Sequence, residues 1–159
     1  MDRSPTADDV RLRDASHEDL PTFFEHQRDP VANRMAAFSA RDHDAFMRHW
    51  TTAILGRETE VAKTVLVDGR VAGNVLCFEH DGKRQVGYWI GREFWGRGVA
   101  TRALSALLTE VQERPLFAEV AEHNVASLRV LEKCGFVVAD ESPGPRDDGI
   151  RGVLLRLDA

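Results

Sequence analysis

The stretch from Trp89 to Thr101 most constrains the fold, because a β-like segment there runs through a Gly- and Arg-rich turn directly into a helix. Small residues at Gly96, Gly98 and Ala100 would let an anion approach the first amides of that helix. Those amides lack intrahelical partners, and the macrodipole makes this end positive. The pattern predicts a phosphate cradle. The helix behind it has one apolar face with helical spacing, formed by Ala100, Ala103, Leu104, Leu107, Leu108 and Val111.

Two other phosphate-binding motifs do not fit this turn. A Walker A loop requires a lysine, and the turn contains none. A dinucleotide fingerprint requires a third glycine where Thr101 stands, followed about 20 residues later by a strand that ends in an acid. The residues that follow Thr101 are predicted to be helical instead. The Gly-x-Gly pattern alone is also compatible with a simple tight connection.

Composition limits the function classes. A chain of 159 residues is expected to form one domain, with Met1–Asp9 as a flexible start and residues 10–159 as the folded unit. A net charge of -5 argues against a nucleic-acid partner. Cys77 and Cys134 form neither a metal-ligand spacing nor a disulfide framework. We find no signal peptide or membrane-length apolar run, so we expect a cytoplasmic protein with no metal and no membrane partner.

The first part of the chain predicts one strand and two helices. Val10–Arg13 alternates as a strand, and a helix starts at Ser16 and ends at Asp29–Pro30. Val31–Ala40 has no clean period and is predicted to be a loop. A second helix is expected to start within Ser39–Asp44 and to close at Gly56.

Two turn signals then predict three antiparallel strands. Asp68-Gly69 lies between β-rich runs, Thr64–Val67 and Val71–Phe78, and indicates a hairpin. A second turn, His80–Lys83, leads to the strand Gln85–Ile90. These strands deliver the chain to the predicted phosphate cradle.

The remaining chain predicts a strand, a capped helix and a closing strand pair. Leu116–Val120 alternates, and Asn124 caps a helix over Val125–Cys134 that Gly135 ends. Phe136–Ala139 and Val153–Leu157 are the closing strands, separated by the loop Ser142–Gly149. The fold class is therefore α+β, a single mixed, mostly antiparallel sheet flanked by helices. The strand from Leu116 is expected to lie parallel to the one that ends at Ile90.

Two stretches of this chain resemble the GNAT superfamily of acetyl-CoA-dependent N-acyltransferases. The first is Gly87–Ile90 followed by Trp95-Gly96-Arg97-Gly98-Val99-Ala100-Thr101, similar to the family motif Arg/Gln-x-x-Gly-x-Gly/Ala. The second, Asn124–Ser127 with Val130–Phe136, resembles the RimJ/RimL-like branch of ribosomal-protein N-terminal acetyltransferases. Trp95 departs from the Arg or Gln of many members. Leu131 stands where some relatives place a tyrosine general acid, so a tyrosine acid at that position is excluded.

The resemblance implies a coenzyme A site around the turn. The pyrophosphate would lie on the backbone amides of Arg97, Gly98, Val99, Ala100 and Thr101, and the pantetheine arm would pair with the backbone of Trp89 and Ile90. Asn124 and Ser127 would lie near the thiol arm. Arg129 and Lys133 would reach the 3′-phosphate or form an exposed basic face. Arg92 adds a further cation beside the turn.

The resemblance also implies direct attack by an amine on the thioester within a ternary complex. Ser127 is our candidate to hydrogen-bond or protonate the leaving thiolate. Glu119 and Glu79, with His80 beside the latter, are candidates for the base, whereas Gln85 is an amide and cannot serve. The oxyanion would bind a strand amide, that of Trp89 or Ile90.

The acceptor is expected to be a primary amine, either a protein N-terminus or a small molecule. Its site is expected between the first two helices, the segment Asn33–Phe38 and the loop Ser142–Gly149, where Met35, Phe38, Phe46 and Trp50 are candidate lining residues or core. A non-catalytic coenzyme A-binding module is the alternative function, and a nicotinamide-dependent oxidoreductase is a weaker alternative. The sequence is also compatible with a homodimer.

Overall fold

A computed structural model describes residues 9–139 and 151–159, and within this part the chain forms one seven-stranded sheet. Residues 1–8 and the predicted loop Ser142–Gly149 lie outside the described residues. The strands follow the order β1-β2-β3-β4-β5-β7-β6, and only β4 and β5 are parallel. The strands are β1 Val10–Asp14, β2 Val61–Val67, β3 Arg70–His80, β4 Lys83–Ile90, β5 Leu116–Ala121, β6 Val137–Val138 and β7 Gly152–Leu157. The helices are α1 Leu20–Gln27, α2 Pro30–Ala36, α3 His43–His49, α4 Val99–Glu110 and α5 Val125–Lys133. The α+β prediction is confirmed.

Both Asp-Gly hairpins form as the sequence predicts. Asp68 and Gly69 have φ of 49° and 83°, and Asp81 and Gly82 have φ of 52° and 74°. Positive φ at both central residues is the type I′ geometry that matches the twist of the flanking strands. β2 to β4 therefore pair in a fixed antiparallel register that ends with Gly73 opposite Ile90.

β4 and β5 form a splayed pair. Their parallel pairing is confirmed, but it rests on one register point, Gln85 opposite Phe117. Beyond that point the carboxyl half of β4 continues to pair with β3, and the carboxyl half of β5 pairs with β7. The sheet therefore opens between Tyr88–Ile90 on one side and Glu119–Ala121 on the other.

The predicted loop at Val31–Ala40 is wrong, because α2 occupies Pro30–Ala36. The Asp29 side chain accepts a hydrogen bond from the Val31 amide at 3.0 Å, and Pro30 fits the first helical turn, where its missing N–H costs nothing. Ala37 ends the helix with a φ of 52°. Three helices rather than two thus precede β2.

The next helix, α3, begins within the predicted range Ser39–Asp44. Asp42 is its N-cap and accepts from the Ala45 amide at 2.8 Å, so the helix starts at His43. It continues as one π-helical turn over Trp50–Ile54.

Two apolar clusters pack on opposite faces of the sheet. The larger one joins the sheet to α4 and α5 and includes Leu104, Leu107 and Leu155, each fully buried. The smaller one holds α1 and α3 on the other face and contains Leu20, Phe23, Phe46 and Trp50. Phe46 and Trp50, which the sequence leaves as candidate lining residues or core, therefore belong to the core.

Asp19 ties β1, α1 and β2 together through a buried carboxylate. Its two oxygens accept from the Arg13 guanidinium at 2.8 Å each, and Oδ2 also accepts from Thr64 Oγ1 at 2.7 Å and the Ser16 amide at 3.0 Å. The hydrogen bond from Arg13 lowers the pKa of Asp19 to about 2 against the opposing effect of burial.

Asp19→Asn is expected to lower the free energy of unfolding at pH 7 by about 2–3 kcal/mol, since one pKa unit corresponds to about 1.4 kcal/mol. Because the folded-state pKa is lowered, this stability is present above the unfolded pKa of about 3.9 and is lost as pH falls toward 2. Melting curves from pH 7 to pH 3 should show the gap to wild type narrowing. Asp14→Asn, at an exposed carboxylate paired with Lys63, is the control and should change stability by less than about 1 kcal/mol. Equal melting of Asp19→Asn and wild type at pH 7 would contradict this account.

Candidate active site

The turn before α4 leaves the helix N-terminus open. Gly96 and Gly98 have φ of 76° and 72°, a left-handed conformation that favours glycine. Gly98 is the N-cap of the twelve-residue helix and supplies no side chain to satisfy the first amides. A Cβ built on Gly96 would meet no atom within 4 Å. The amides of Val99, Ala100 and Thr101 therefore form a positive, accessible end.

A cavity of about 760 Å³ runs from this helix end, through the opening between β4 and β5, to α2. It contains ten of the residues that the sequence assigned to cofactor binding. These are Trp89, Ile90, Gly98, Val99, Ala100, Thr101, Asn124, Ser127, Arg129 and Lys133. Met35 and Phe38, which the sequence analysis gives as candidates for the acceptor side, also line the cavity.

Two of the predicted cofactor cations do not line this cavity. The Arg92 guanidinium pairs with Asp29 at 3.0 Å, the same carboxylate that caps α2. The Arg97 guanidinium lies over the Phe94 ring, 5.6 Å from its centroid. In this structure Arg92 thus joins α2 to the turn after β4.

The β4 backbone presents alternate groups to the opening. The Gly91 amide donates to the Ala72 carbonyl at 2.8 Å, so by antiparallel alternation the amide of Trp89 pairs with Asn74. The backbone groups of Tyr88 and Ile90 then point toward β5. Consistent with this, the Ile90 carbonyl accepts from Trp95 Nε1 at 2.8 Å. Of the two predicted oxyanion donors, the ladder favours Ile90 over Trp89.

Successive β4 side chains face opposite sides of the sheet. Trp89 faces α1 and α2: its Nε1 donates to the His26 carbonyl at 3.2 Å, and its ring lies 5.3 Å from that of Phe38. Tyr88 faces α5 and packs against the larger apolar cluster. The cavity therefore has two chemically different walls separated by the opening between the strands.

Tyr88 and Ser127 form a hydroxyl pair that sequence reasoning missed. The Asn124 side chain accepts from the Ser127 amide at 3.2 Å, as the predicted cap requires, and this fixes the first turn of α5. The Ser127 hydroxyl then lies 2.5 Å from the Tyr88 hydroxyl. Burial raises the pKa of Tyr88 to about 12, so the phenol stays protonated at neutral pH. Leu131, the position where some relatives carry a tyrosine, is buried in the core.

The two candidate bases lie in different places. Glu119 is exposed and lines the cavity, and the alternation of β5 puts it on the face opposite Ala118 and Val120, which pack in the larger cluster. Glu79 pairs in register with Arg84 at the far end of the hairpin, five residues along β3 from Asn74, the partner of Trp89, or about 16 Å at the rise of a strand. The structure therefore does not bring Glu79 or His80 to the cavity.

Other features of the described residues concern metals and membranes. Within 9–139 and 151–159 we find no group of three or more His, Cys, Asp or Glu side chains placed to hold a metal ion. In the same part, none of the helices combines the length and apolarity that a membrane crossing requires.

The buried Gln85 lies at the contact of β4 with β5 and does not line the cavity.

Comparison with known proteins agrees with this geometry. The sequence model described as Acetyltransferase (GNAT) domain matches residues 9–137. Similar solved structures include aminoglycoside acetyltransferase AAC(6')-Ib with coenzyme A, at a TM-score of 0.76 and 17% identity over 94% of this chain and 95% of that one. RimL, a ribosomal L7/L12 alpha-N-protein acetyltransferase with coenzyme A, has a TM-score of 0.77 and 17% identity over 96% and 94%. A spermidine N-acetyltransferase SpeG chimera from Vibrio cholerae and hSSAT has a TM-score of 0.73 and 16% identity over 94% and 95%.

No curated protein sequence matches this chain significantly. The solved neighbours have different acceptors at nearly the same identity, so they establish the fold and do not single out the RimJ/RimL-like branch. The family match covers most of the chain, including β1 to β5 and α1 to α5. The chain therefore belongs to the GNAT acetyltransferase family and is an acyltransferase by class.

Proposed function

We propose that this protein transfers the acetyl group of acetyl-CoA to a primary amine by direct attack in a ternary complex. The observation that carries the proposal is a single cavity that joins the N-terminus of α4, the Ser127–Tyr88 hydroxyl pair and the Glu119 carboxylate. An anion site, a donor for a leaving group and a proton acceptor are the three functions that this reaction requires.

Acetyl-CoA fits the wall formed by α4, α5 and β4. The open amides of Val99–Thr101 suit a pyrophosphate, and the exposed Arg129 and Lys133 line the same cavity and suit the 3′-phosphate. The volume of about 760 Å³ lies within the usual range of ligand sites. Neighbouring structures that contain coenzyme A, AAC(6')-Ib and RimL, support the same co-substrate.

The amine would approach from the α2 side, where Trp89 and Glu119 lie. Glu119 would accept the amine proton, directly or through water, as the nitrogen attacks the thioester carbon. The Ile90 amide would stabilise the oxyanion. When the C–N bond has formed and the C–S bond breaks, Ser127 would donate a hydrogen bond to the departing sulfur, and the thiolate takes up one proton to balance the one lost by the amine.

Magnitudes decide the role of the hydroxyl pair. A thiol resembling cysteine has a pKa of about 8.5, so full proton transfer from Tyr88, whose pKa is about 12, would be uphill by about 5 kcal/mol. A hydrogen bond to the charged sulfur stabilises it by about 1.5–3 kcal/mol. We therefore assign Ser127 as a hydrogen-bond donor to the thiolate, with Tyr88 donating to the Ser127 oxygen.

The same proposal includes the finer expectations from the sequence. Asn124–Ser127 and Val130–Phe136 favour a RimJ/RimL-like enzyme, residues 10–159 are taken as one domain, and a cytoplasmic homodimer remains compatible. The non-catalytic binding module is less favoured, because family membership and the hydroxyl pair at the cavity both support an enzyme.

Thiol release from acetyl-CoA in the presence of a panel of primary amines tests the proposal. We expect amine-dependent release, with Glu119→Gln lowering kcat/KM by about 10²-fold or more, the effect of losing a general base. Coenzyme A affinity, measured by calorimetry, should stay within twofold of wild type in Glu119→Gln. Tight coenzyme A binding with no release toward any amine would favour the non-catalytic module instead.

A further inference from the structure

We infer that the acceptor is an α-amine beside an apolar side chain, with no second positive charge. This inference rests on the proposed function and names its substrate class. The carrying feature is the acceptor wall, which we define as Ala32, Met35, Ala36 and Phe38 of α2 and its C-terminal turn, opposite Trp89 and Glu119.

The acceptor wall is apolar and accessible. Met35 is 37% exposed although it lines a cavity, and Phe38 is half-buried with its ring edge-on to Trp89 at 5.3 Å. α2 is fixed in place through Asp29, which caps it and pairs with Arg92. An apolar side chain of the acceptor would therefore meet a preformed surface next to the opening between β4 and β5.

The charges around the cavity disfavour a polycation. Among the described residues that line it, Glu119 is the one carboxylate, and Arg129 and Lys133 lie on α5 at the phosphate side. The Arg41 guanidinium lies 5.6 Å from the centroid of the Phe38 ring, beside the acceptor wall. A second ammonium group of a polyamine or aminoglycoside would thus be desolvated against apolar side chains or repelled by Arg41.

An α-amine also suits a site with one carboxylate. Its pKa is about 8, so about a quarter of it is neutral at pH 7.5, whereas a lysine-type amine of pKa about 10.4 is neutral in about one molecule in a thousand. The described lining contains no histidine that would add a second base. The amine that combines this low pKa with an adjacent apolar group is the α-amine of a peptide that begins with an apolar residue, or of an apolar amino acid amide, since neither carries a free α-carboxylate.

The experiment measures thiol release from acetyl-CoA with phenylalaninamide, a peptide that begins with phenylalanine, glycinamide, spermidine and ribostamycin. We expect kcat/KM for the better of the two phenylalanine substrates to exceed that for glycinamide and spermidine by at least about 10-fold, the scale of discrimination by an apolar pocket. The amide and the peptide separate a small amino acid amide from a protein N-terminus as the source. A preference for spermidine or ribostamycin would overturn the inference and leave the proposed function intact.

Two variants test the acceptor wall directly. Met35→Glu, at a partly exposed position, should lower kcat/KM for phenylalaninamide and raise the relative rate with spermidine by about 10-fold, and Phe38→Ala should remove much of the preference over glycinamide. Val138→Ala, on the exposed edge strand β6, is the control and should change neither ratio. Coenzyme A affinity should be unchanged in all three. Unaltered ratios in both wall variants would overturn the inference, whereas no release with any amine would overturn the proposed function as well.

Discussion

Replacing Gly98 with aspartate is expected to raise the dissociation constant of coenzyme A by at least about 10²-fold. Gly98 is the N-cap of α4, with a φ of 72°, and a Cβ there would point into open space, with only the Arg102 guanidinium within 4 Å. A carboxylate about 4 Å from a phosphate is repelled by about 4 kcal/mol at an effective dielectric constant of about 20. Screening by salt reduces that penalty, which is why the lower bound is smaller than the full Coulomb energy. Calorimetric titration of coenzyme A measures the effect.

A matched control separates charge at the site from backbone strain. Gly82 has a φ of 74° and no atom within 4 Å of a built Cβ, but it lies in the β3–β4 turn at the far end of the hairpin. Gly82→Asp therefore imposes similar strain and the same charge without approaching the cavity, and it should bind coenzyme A like wild type. Gly98→Ala should fall between the two variants. Unchanged affinity in Gly98→Asp would refute the phosphate cradle.

Local patterns in the sequence predicted the elements whose causes are local. The two Asp-Gly turns fixed the hairpins because positive φ at both positions selects one turn type. The N-cap of α5 followed from Asn124, whose side chain needs only the amide three residues ahead. The open N-terminus of α4 followed in the same way from Gly96 and Gly98.

The sequence does not predict α2, because apolar residues do not recur along it at helical spacing. Only Ala32 of its seven residues is buried, so there is no apolar stripe to detect. The helix depends instead on the Asp29 cap, and Arg92, more than sixty residues away in the chain, pairs with that same carboxylate. Asp29-Pro30 predicts the end of the preceding helix, but an Asp followed by Pro is also a signal for the start of the next one. Without α2, the sequence predicts no defined shape for the acceptor wall, most of which belongs to that helix.

The roles of the candidate catalytic residues are harder to predict from the sequence, because they depend on strand register and on tertiary contacts. Counting from the His80–Lys83 turn places Glu79 opposite Arg84 and thus far from Trp89, a step that the sequence alone permitted. Tyr88 is different. Its alternation with Trp89 predicts that it faces the α4 and α5 side, but only the packing of α5 on the sheet brings its hydroxyl to Ser127. No pattern within β4 indicates that contact.

Ser127→Ala is expected to lower kcat by about 10- to 150-fold, the equivalent of the 1.5–3 kcal/mol that a hydrogen bond to a charged group contributes. Coenzyme A affinity should stay within about twofold, because the interaction develops only as the C–S bond breaks. Alanine is favourable inside a helix, and the Ser127 amide still donates to Asn124, so the variant should fold normally. Ser105→Ala, at an exposed serine of α4, is the matched control and should retain wild-type kcat.

Tyr88→Phe distinguishes a donor that acts through Ser127 from one that acts on sulfur itself. If Tyr88 donates to the Ser127 oxygen, Tyr88→Phe should lower kcat by less than Ser127→Ala does. The double variant should then be no slower than Ser127→Ala alone, because the effects of groups that act as a unit are not additive. Because the pKa of Tyr88 is raised to about 12, neither wild type nor Ser127→Ala should lose activity through tyrosine ionisation below about pH 11. Strictly additive losses in the double variant would mean that the phenol contacts the substrate independently. A Ser127→Ala variant with wild-type kcat would show that the α5 hydroxyl is a structural group and that water alone supports the departing thiolate.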